Sequence, residues 1–533
     1  MEQREELSNV DGLLRRQAAV RADSVALVSE ASRLTWHELD RRVEALAQGL
    51  SELGLVAGHR VAIAGSNSVE FVVCYLATLR GGMVAVPVNP TSQPGEIGRV
   101  LADCGARVCF ADTGTVESVR AAVDGAEAGG RRPLVVSVGG PAREGEIGYV
   151  DLFSQGARVV SPRDSESLAV LLYTSGTSGT PRAAMLSHRA LLANVAQSAG
   201  TTPAPVLPDD IVLGVLPMFH VYGLNAVLGQ VLLTGATLVI GPRFDPDETL
   251  ALVRREQVTC VPVAPPVIAA WLEHPDTVTG LSSVRMLLSG AAPLSEETMR
   301  AFEERTGLVV EQGYGLTEAG PVVTSTIGSP LHKPASAGRA LPGVEIRVVD
   351  DAGADVHPAD PGEIWVRGRN LFSGYWPDGD ERPGADGWLR TGDVGFIDAD
   401  GDLIIVDRLK ELVIVSGFNV YPSEIEDVIR EVEGVRECAV IGVPDASTGE
   451  AVVGYVVPLS RAPATPEPSG RRAGAAGAED LAAAVAAHCV DRLARFKVPS
   501  RIRVVVELPH SATGKVAKGR LRAHQARHGI GLS

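Results

Sequence analysis

From residue 173 the chain reads Tyr173, Thr174, Ser175, Gly176, Thr177, Ser178, Gly179, Thr180, Pro181, Arg182. An apolar run, LAVLLY, delivers it into a loop of hydroxyl side chains and glycines. Backbone N–H groups and Ser/Thr hydroxyls in such a loop can wrap phosphate oxygens. The GxxxxGK[ST] spacing of a Walker A loop is absent, and a flexible linker would seldom follow a buried strand directly. Further on, Gln312-Gly313-Tyr314-Gly315-Leu316-Thr317-Glu318 flanks an aromatic ring with glycines, which leaves the ring open to a planar ligand. Glu318 beside Thr317 is a carboxylate suited to hold Mg2+ against phosphate oxygens. In Thr391-Gly392-Asp393 a carboxylate follows a glycine turn and can accept from two vicinal hydroxyls.

Lysine is scarce. Lys333, Lys410, Lys497, Lys515 and Lys518 are the only five among 49 Lys and Arg residues. In so arginine-rich a chain a surviving lysine is expected to be needed as lysine, because its compact ammonium differs from a planar guanidinium. The six cysteines, 74, 104, 109, 260, 438 and 489, have no paired metal-ligand spacing and read as reduced, buried thiols.

These groups need elements to hold them. The 533 residues, 45% hydrophobic and 21% charged, favour several domains over one core. A net charge of −16 argues against a nucleic-acid surface, and the charged N-terminus has no apolar signal region, so a cytoplasmic protein is expected. Residues 211–242 carry no Asp, Glu, Lys or Arg, yet Pro217, Gly223, Gly229 and Gly235 interrupt the run. The pattern predicts a buried helix followed by a buried strand, not a membrane span. From Arg60 to about Ile240, short β-rich runs alternate with amphipathic stretches such as 93–103 and 187–199, which predicts βαβ units on a parallel sheet. The theme repeats at 236–240, 258–263 and 284–289. From about 337 the texture changes to short strands with Gly/Asp turns, and after Asp407 to a compact α+β unit. The fold class is therefore α/β: a large N-terminal domain of doubly wound sheets with a small β-rich subdomain (1–406), then a small α+β C-terminal domain (407–533). Residues 461–478, rich in Pro, Gly and Ala, read as a disordered insertion.

The loop at 173–182 resembles the phosphate loop of the adenylate-forming superfamily, which includes acyl-CoA synthetases, peptide-synthetase adenylation domains and firefly luciferase. The superfamily's other signatures follow in order: LPMFHVYGL (216–224), SGAAPL (289–294), QGYGLTEAGP (312–321), WLRTGDVG (388–395), DRLKELVIVSGFNVYPSEIE (407–426) and LPHSATGK (508–515). The resemblance implies the acyl-CoA synthetase branch, with ATP, Mg2+ and coenzyme A. It places Tyr314 on adenine, Asp393 and Arg408 on ribose, and Gly290, Ala291, Ala292 and Pro293 along the adenine and acyl carboxylate. Glu318 and Thr174 would meet the metal. Lys515 would neutralise the attacking carboxylate and the charge developing at the α-phosphate. The C-terminal domain would rotate about Asp407 and bring Lys410, Ser416, Gly417 and Phe418 to the thiol channel, Gly417 allowing close approach of the pantetheine arm. His220, Val221, Gly223, Leu224, Ser289, Gly290, Gly313, Gly320, Pro321 and Val322 would wall the acid, with His220 as an aromatic gate. One departure stands out: Arg182-Ala183 replaces the usual Lys-Gly, keeping the charge but adding a Cβ.

Segments 216–230, 287–294 and 319–324 offer no cation for a second carboxylate, so a hydrophobic acid, fatty or aryl, is expected. Two other readings stay open. The acceptor could be an acyl carrier protein's thiol, although no inserted segment of the fatty-acid–AMP ligase type is evident. A catalytically silent nucleotide-binding protein is disfavoured by the retention of Glu318, Asp393, Arg408 and Lys515.

Overall fold

The computed structural model describes residues 7–125, 132–156, 159, 164–175, 181–291, 294, 296–334, 336–350, 352–357, 360, 362–408, 413–420, 422–459, 473–508, 516, 518 and 521. The chain divides into two compact units. The first comprises Met1–Pro90, Ile97–Tyr173 and Ala183–Leu409; the second comprises Thr91–Glu96, Thr174–Arg182 and Lys410–Ser533.

The first unit contains two seven-stranded sheets. One runs in the order 147–148, 134–138, 108–112, 60–64, 84–88, 168–175, 181–187. Its pairs from 147–148 through 168–175 are parallel, as alternating strands and helices require. The other runs 310–312, 286–289, 260–263, 211–214, 237–240, 25–28, 33–35, parallel except for the last pair. The strand Val25–Val28 thus joins a sheet whose other parallel members lie almost two hundred residues later. The alternating pattern read from Arg60 onward did not include it. A four-stranded antiparallel sheet follows, in the order 344–349, 362–368, 389–397, 403–408.

Local signals explain where elements start. Thr35 caps the helix Trp36–Glu52 through a capping box: its hydroxyl accepts from the Glu38 N–H, and the Glu38 carboxylate accepts from the Thr35 N–H. The charge-free stretch resolves into a strand (Ile211–Gly214), a π-helix (Tyr222–Gly229), a short α-helix (Gln230–Thr234) and a strand (Thr237–Ile240). The expected buried helix is therefore π-helical over its first eight residues, a wider turn of the kind that accumulates at functional sites. Among the described residues no helix is long and apolar enough to cross a membrane.

In the second unit, strands 418–420, 413–415, 449–458 and 435–445 lie in that order, and 501–504 pairs in parallel with 449–458. Ile425 and Ile429 of one helix and Val485 and Cys489 of another pack with Val440, Val452 and Val456 of the sheet. The second of these helices spans Ala473–Arg492, so it takes in 473–478 of the segment expected to be disordered. Alanine is the strongest helix former, and its run there extends the helix backward. Residues 461–472 lie outside the described residues.

All six cysteines are buried and unpaired, and burial pushes the Cys109 and Cys260 thiols up to about 12. The lysine expectation also acquires a structural content. Lys333 lies 2.6 Å from Asp398 and from Asp400 and 3.5 Å from the buried Asp402, clamping the turn between strands 389–397 and 403–408. Lys497 meets Glu424 at 2.9 Å and Lys518 meets Glu426 at 2.8 Å. Three of the five lysines thus serve ion pairs that hold the fold.

The helices Asp11–Val20, Trp36–Glu52 and Val69–Arg80 are joined by Arg80, which is 1% exposed. Its guanidinium reaches Asp11 at 2.7 Å, Asp40 at 2.5 Å and Glu44 at 3.1 Å. Asp11 is fully buried, and although Arg15 also meets it at 2.9 Å, removing Arg80 strips this buried carboxylate of its buried cation. Arg80→Met is expected to destabilise the protein by about 3–5 kcal/mol, read as a lowered midpoint in urea unfolding.

Candidate active site

Gln312 ends the strand Val310–Gln312, and the chain then leaves regular structure until Thr324. Gly313 and Gly315 are needed for close backbone approach: a Cβ at 313 would lie 2.4 Å from the Thr324 carbonyl oxygen, and one at 315 would lie 2.2 Å from that of Pro321. The two glycines thus have a packing task beside the one read from the sequence. Tyr314 is itself only 7% exposed. Its N–H donates to the Thr324 hydroxyl, its carbonyl accepts from the Val323 and Thr324 N–H groups, and its phenol donates to the Asp393 carboxylate at 2.6 Å. Asp393, on the strand Leu389–Ile397, faces Arg408 in the antiparallel register. The residue expected at an adenine and the one expected at a ribose therefore touch, although they are 79 positions apart.

Thr317–Ala319 form a single 3-10 turn, closed by Gly320 in the left-handed region at φ +76. A side chain at 320 would be strained there and would face the Asn370 and Ala190 carbonyls. Gly320 therefore serves the turn, and a bulky substitution there is a poor probe of a pocket wall. The Glu318 carboxylate accepts from the Tyr375 hydroxyl, and the Glu318 carbonyl accepts from the Phe372 N–H at 2.8 Å. Tyr375 is in turn fixed by its neighbours. Its backbone bridges to Ala184, while Met185 and Gly374, Ser373 and Met185, and Trp376 and Ala183 exchange backbone hydrogen bonds of 2.9–3.0 Å. Its ring meets Phe372 edge-on at 5.1 Å. Segment 372–376 thus straps the carboxylate turn to the strand Pro181–Ser187. The Ala183 methyl, a departure from the resembled loop, lies in the core at 1% exposure.

On the opposite flank, Nδ1 of the half-buried His220 accepts from the Tyr222 N–H, which puts the imidazole proton on Nε2. Burial lowers the His220 pKa to about 4, so the ring is neutral at physiological pH. Tyr222 packs under Gly290: a Cβ at 290 would sit 2.9 Å from its ring. Ala291 follows with φ +72, a strained value for a residue with a side chain. The Ser289 hydroxyl is buried and has no hydrogen-bond partner among the described residues. Val221 and Leu224, expected in the acid wall, are 2% and 1% exposed and belong to the main core. A Cβ at Gly223 would lie 2.3 Å from the Pro217 carbonyl oxygen, so that glycine is also a packing residue. Pro321 is buried, whereas Val322 is half-buried.

In the second unit the Thr174 hydroxyl donates to the Arg182 carbonyl at 3.3 Å, joining the two ends of the segment expected to bind phosphate. Ser416 and Gly417, both with positive φ, turn the hairpin 413–420, and Phe418 stacks on Phe496 at 4.5 Å. Gly176, Thr177, Ser178, Gly179, Thr180, Ala292, Pro293, Lys410 and Lys515 lie outside the described residues, as do the side chains of Ser175, Asp407 and Arg408. Sequence reasoning did not single out Tyr375 or the buried Asn194, Asn225 and Asn370. For Asn194 and Asn225 the available signal was a polar residue inside a mainly apolar stretch, whereas Asn370 and Tyr375 have no such setting.

Comparison with known proteins places the chain in a family. A family model described as AMP-binding enzyme matches residues 14–376, and one for the AMP-binding enzyme C-terminal domain matches 424–515. The chain belongs to the AMP-binding enzyme family. It is 34% identical to 4-coumarate–CoA ligase 5 of Oryza sativa subsp. japonica, over 95% of this chain and 93% of that one. It is 32% identical to a long-chain-fatty-acid–CoA ligase of Bacillus subtilis (strain 168), over 96% and 94%. Among solved structures, the amide bond synthetase McbA from Marinactinospora thermotolerans superposes with a TM-score of 0.84 at 29% identity, covering 97% of this chain and 99% of that one.

Tyr375→Phe removes one hydrogen bond to a charged carboxylate, an interaction of about 1.5–3 kcal/mol, and is expected to weaken MgATP binding about tenfold. Calorimetric titration of MgATP checks this. In a Glu318→Gln background the same substitution should add little, because the carboxylate it serves is gone.

Proposed function

We propose that this AMP-binding enzyme adenylates a hydrophobic carboxylic acid with ATP and passes the acyl group to the thiol of coenzyme A. The observation that supports it most is similarity to CoA ligases over 95–96% of the chain, with Glu318, Asp393, Arg408 and Lys515 standing in the motifs that resemble the family's. In the first step a carboxylate oxygen bonds to the α-phosphorus of ATP and the bond to pyrophosphate breaks. In the second, the thiol sulfur attacks the acyl carbonyl, AMP leaves, and the thiol proton passes to solvent or base.

Each residue has a task that its chemistry suits. Asp393, already accepting from Tyr314, would hold the ribose diol together with Arg408. The loop from Thr174 to Arg182 would cradle the phosphates. Lys515 would neutralise the reacting carboxylate and α-phosphate. A neutral His220 borders the acid without placing a cation beside it, which suits an apolar substrate. Among the described residues no group of three or more His, Cys, Asp or Glu could by itself hold a metal, whereas Glu318 offers a lone, tethered carboxylate. Such a carboxylate suits Mg2+, which is bound through one or two carboxylates plus substrate phosphates, and by the family resemblance Glu318 and Thr174 would be its protein contacts. When bound, the ion neutralises phosphate charge. The likeness to an amide bond synthetase favours a second reading for the acceptor alone, an amine in place of the thiol.

Lys515→Ala is expected to slow adenylate formation 10²–10³-fold, an estimate of about the size seen for loss of one main transition-state cation or donor. Thioester formation from supplied acyl-adenylate should stay near wild type, and equal damage to both half-reactions would refute the division of labour. The substrate is tested by pyrophosphate release over a series of acids, with coenzyme A, an amine or no acceptor. Each methylene fully buried contributes up to about 0.8 kcal/mol, so kcat/KM should rise from acetate toward medium-chain or aryl acids. If acetate, malonate or an amino acid proves best, the apolar acid site is wrong. Acyl-CoA as the product decides between thiol and amine.

A further inference from the structure

The segment Ala319–Gly320–Pro321–Val322 belongs to no helix or sheet beyond the turn that ends at Ala319, yet its first three residues are buried. Buried backbone groups have to be paired, and here side chains pair them. Asn370 Nδ2 donates to the Ala319 carbonyl at 2.8 Å. Asn225 Nδ2 donates to the Gly320 carbonyl at 2.6 Å and to the Leu191 carbonyl at 3.2 Å. Asn194 donates through Nδ2 to the Val322 carbonyl at 2.7 Å and accepts the Val322 N–H on Oδ1 at 3.2 Å, as a neighbouring strand would. The remaining carbonyl, of Pro321, accepts from the Leu316 N–H at 3.0 Å. The three asparagines are 0%, 1% and 1% exposed and come from three places in the chain: the loop after strand 362–368, the π-helix 222–229 and the helix His188–Ala199.

We propose that Asn194, Asn225 and Asn370 are specificity-determining positioning residues, which set the acid preference by fixing the backbone from which Val322 projects. This rests on the reading that 320–322 walls the acid site. An amide is the right group for the task because it carries donors and an acceptor without charge. A carboxylate would face carbonyl oxygens, and an apolar side chain would leave them buried and unpaired. A cradle of this kind lets the wall keep one position while its side chain meets substrate. Loosening it should alter large and small acids unequally, because a wall shift of a methylene's size changes discrimination in an apolar pocket.

The test measures kcat and KM over a straight-chain and aryl acid series for the wild type, Asn194→Ala, Asn370→Ser and, as a control on the wall itself, Val322→Phe. Thermal unfolding and KM for MgATP are recorded on each. For both asparagine variants the ratio of kcat/KM between the largest and smallest accepted acid should shift about tenfold, carried by KM for the acid. KM for MgATP should change far less. A fall by the same factor for every acid, or a lowered Tm with the acid ratio unchanged, would make the asparagines merely structural and overturn the proposal. Should Asn194→Ala fail to accumulate folded, Asn370→Ser reads the same ratio through a smaller change. If Val322→Phe leaves the acid profile unaltered, it is the wall reading that fails. If Val322→Phe alters the profile and the asparagine variants do not, the failure belongs to the positioning role alone.

Discussion

Between Gln312 and Thr324 the chain makes a largely buried excursion whose one regular piece is the turn Thr317–Ala319, and its buried polar backbone groups need partners. The rest of the site follows from how that requirement is met. Gly313 and Gly315 let the outgoing strand press against the returning one, and the Tyr314 backbone is clamped between Val323 and Thr324. With its backbone so held, the Tyr314 phenol can reach Asp393. The next turn is tied at the Glu318 carbonyl by Phe372 and at its carboxylate by Tyr375. A carboxylate tethered on a short turn is held to one place.

Charge is distributed with comparable economy. Burial keeps His220 neutral, and the segments expected to wall the acid contain no lysine or arginine. The described lysines, by contrast, are all engaged with carboxylates: Lys333 with the Asp398–Asp402 turn, Lys497 with Glu424, Lys518 with Glu426. The scarcity noticed in the sequence therefore has a structural side, a compact ammonium fitting where several carboxylates converge. Arg80 does the corresponding work for the N-terminal helices, where one planar group serves carboxylates on two other helices.

Much of the fold was legible because its signals are local. Strands 60–64, 84–88, 108–112, 344–349 and 362–368 announce themselves as short β-rich runs, and helices 94–104 and 188–199 as amphipathic ones. The π-helix was not legible, since its apolar run is compatible with either helical pitch and tertiary packing chose between them. Nor was the start of the helix at Ala473, where a segment rich in Pro and Gly masked a run of strong helix formers.

The sequence by itself determined the chemical vocabulary: a hydroxyl-rich loop after a strand, a tyrosine between glycines, an isolated glutamate, an aspartate after a glycine, and lysines too few to be incidental. It also determined the order of those motifs, which is what makes the family recognisable. Only the tertiary structure decided which of them meet. Tyr314 and Asp393, or Glu318 and Tyr375, are 79 and 57 residues apart, and no local periodicity encodes such pairings. Asn194 and Asn225 read locally as polar interruptions, and Asn370 has no such setting. They become a cradle only when a helix, a π-helix and a loop converge on one stretch of backbone, because a hydrogen bond depends on distance in space and not along the chain.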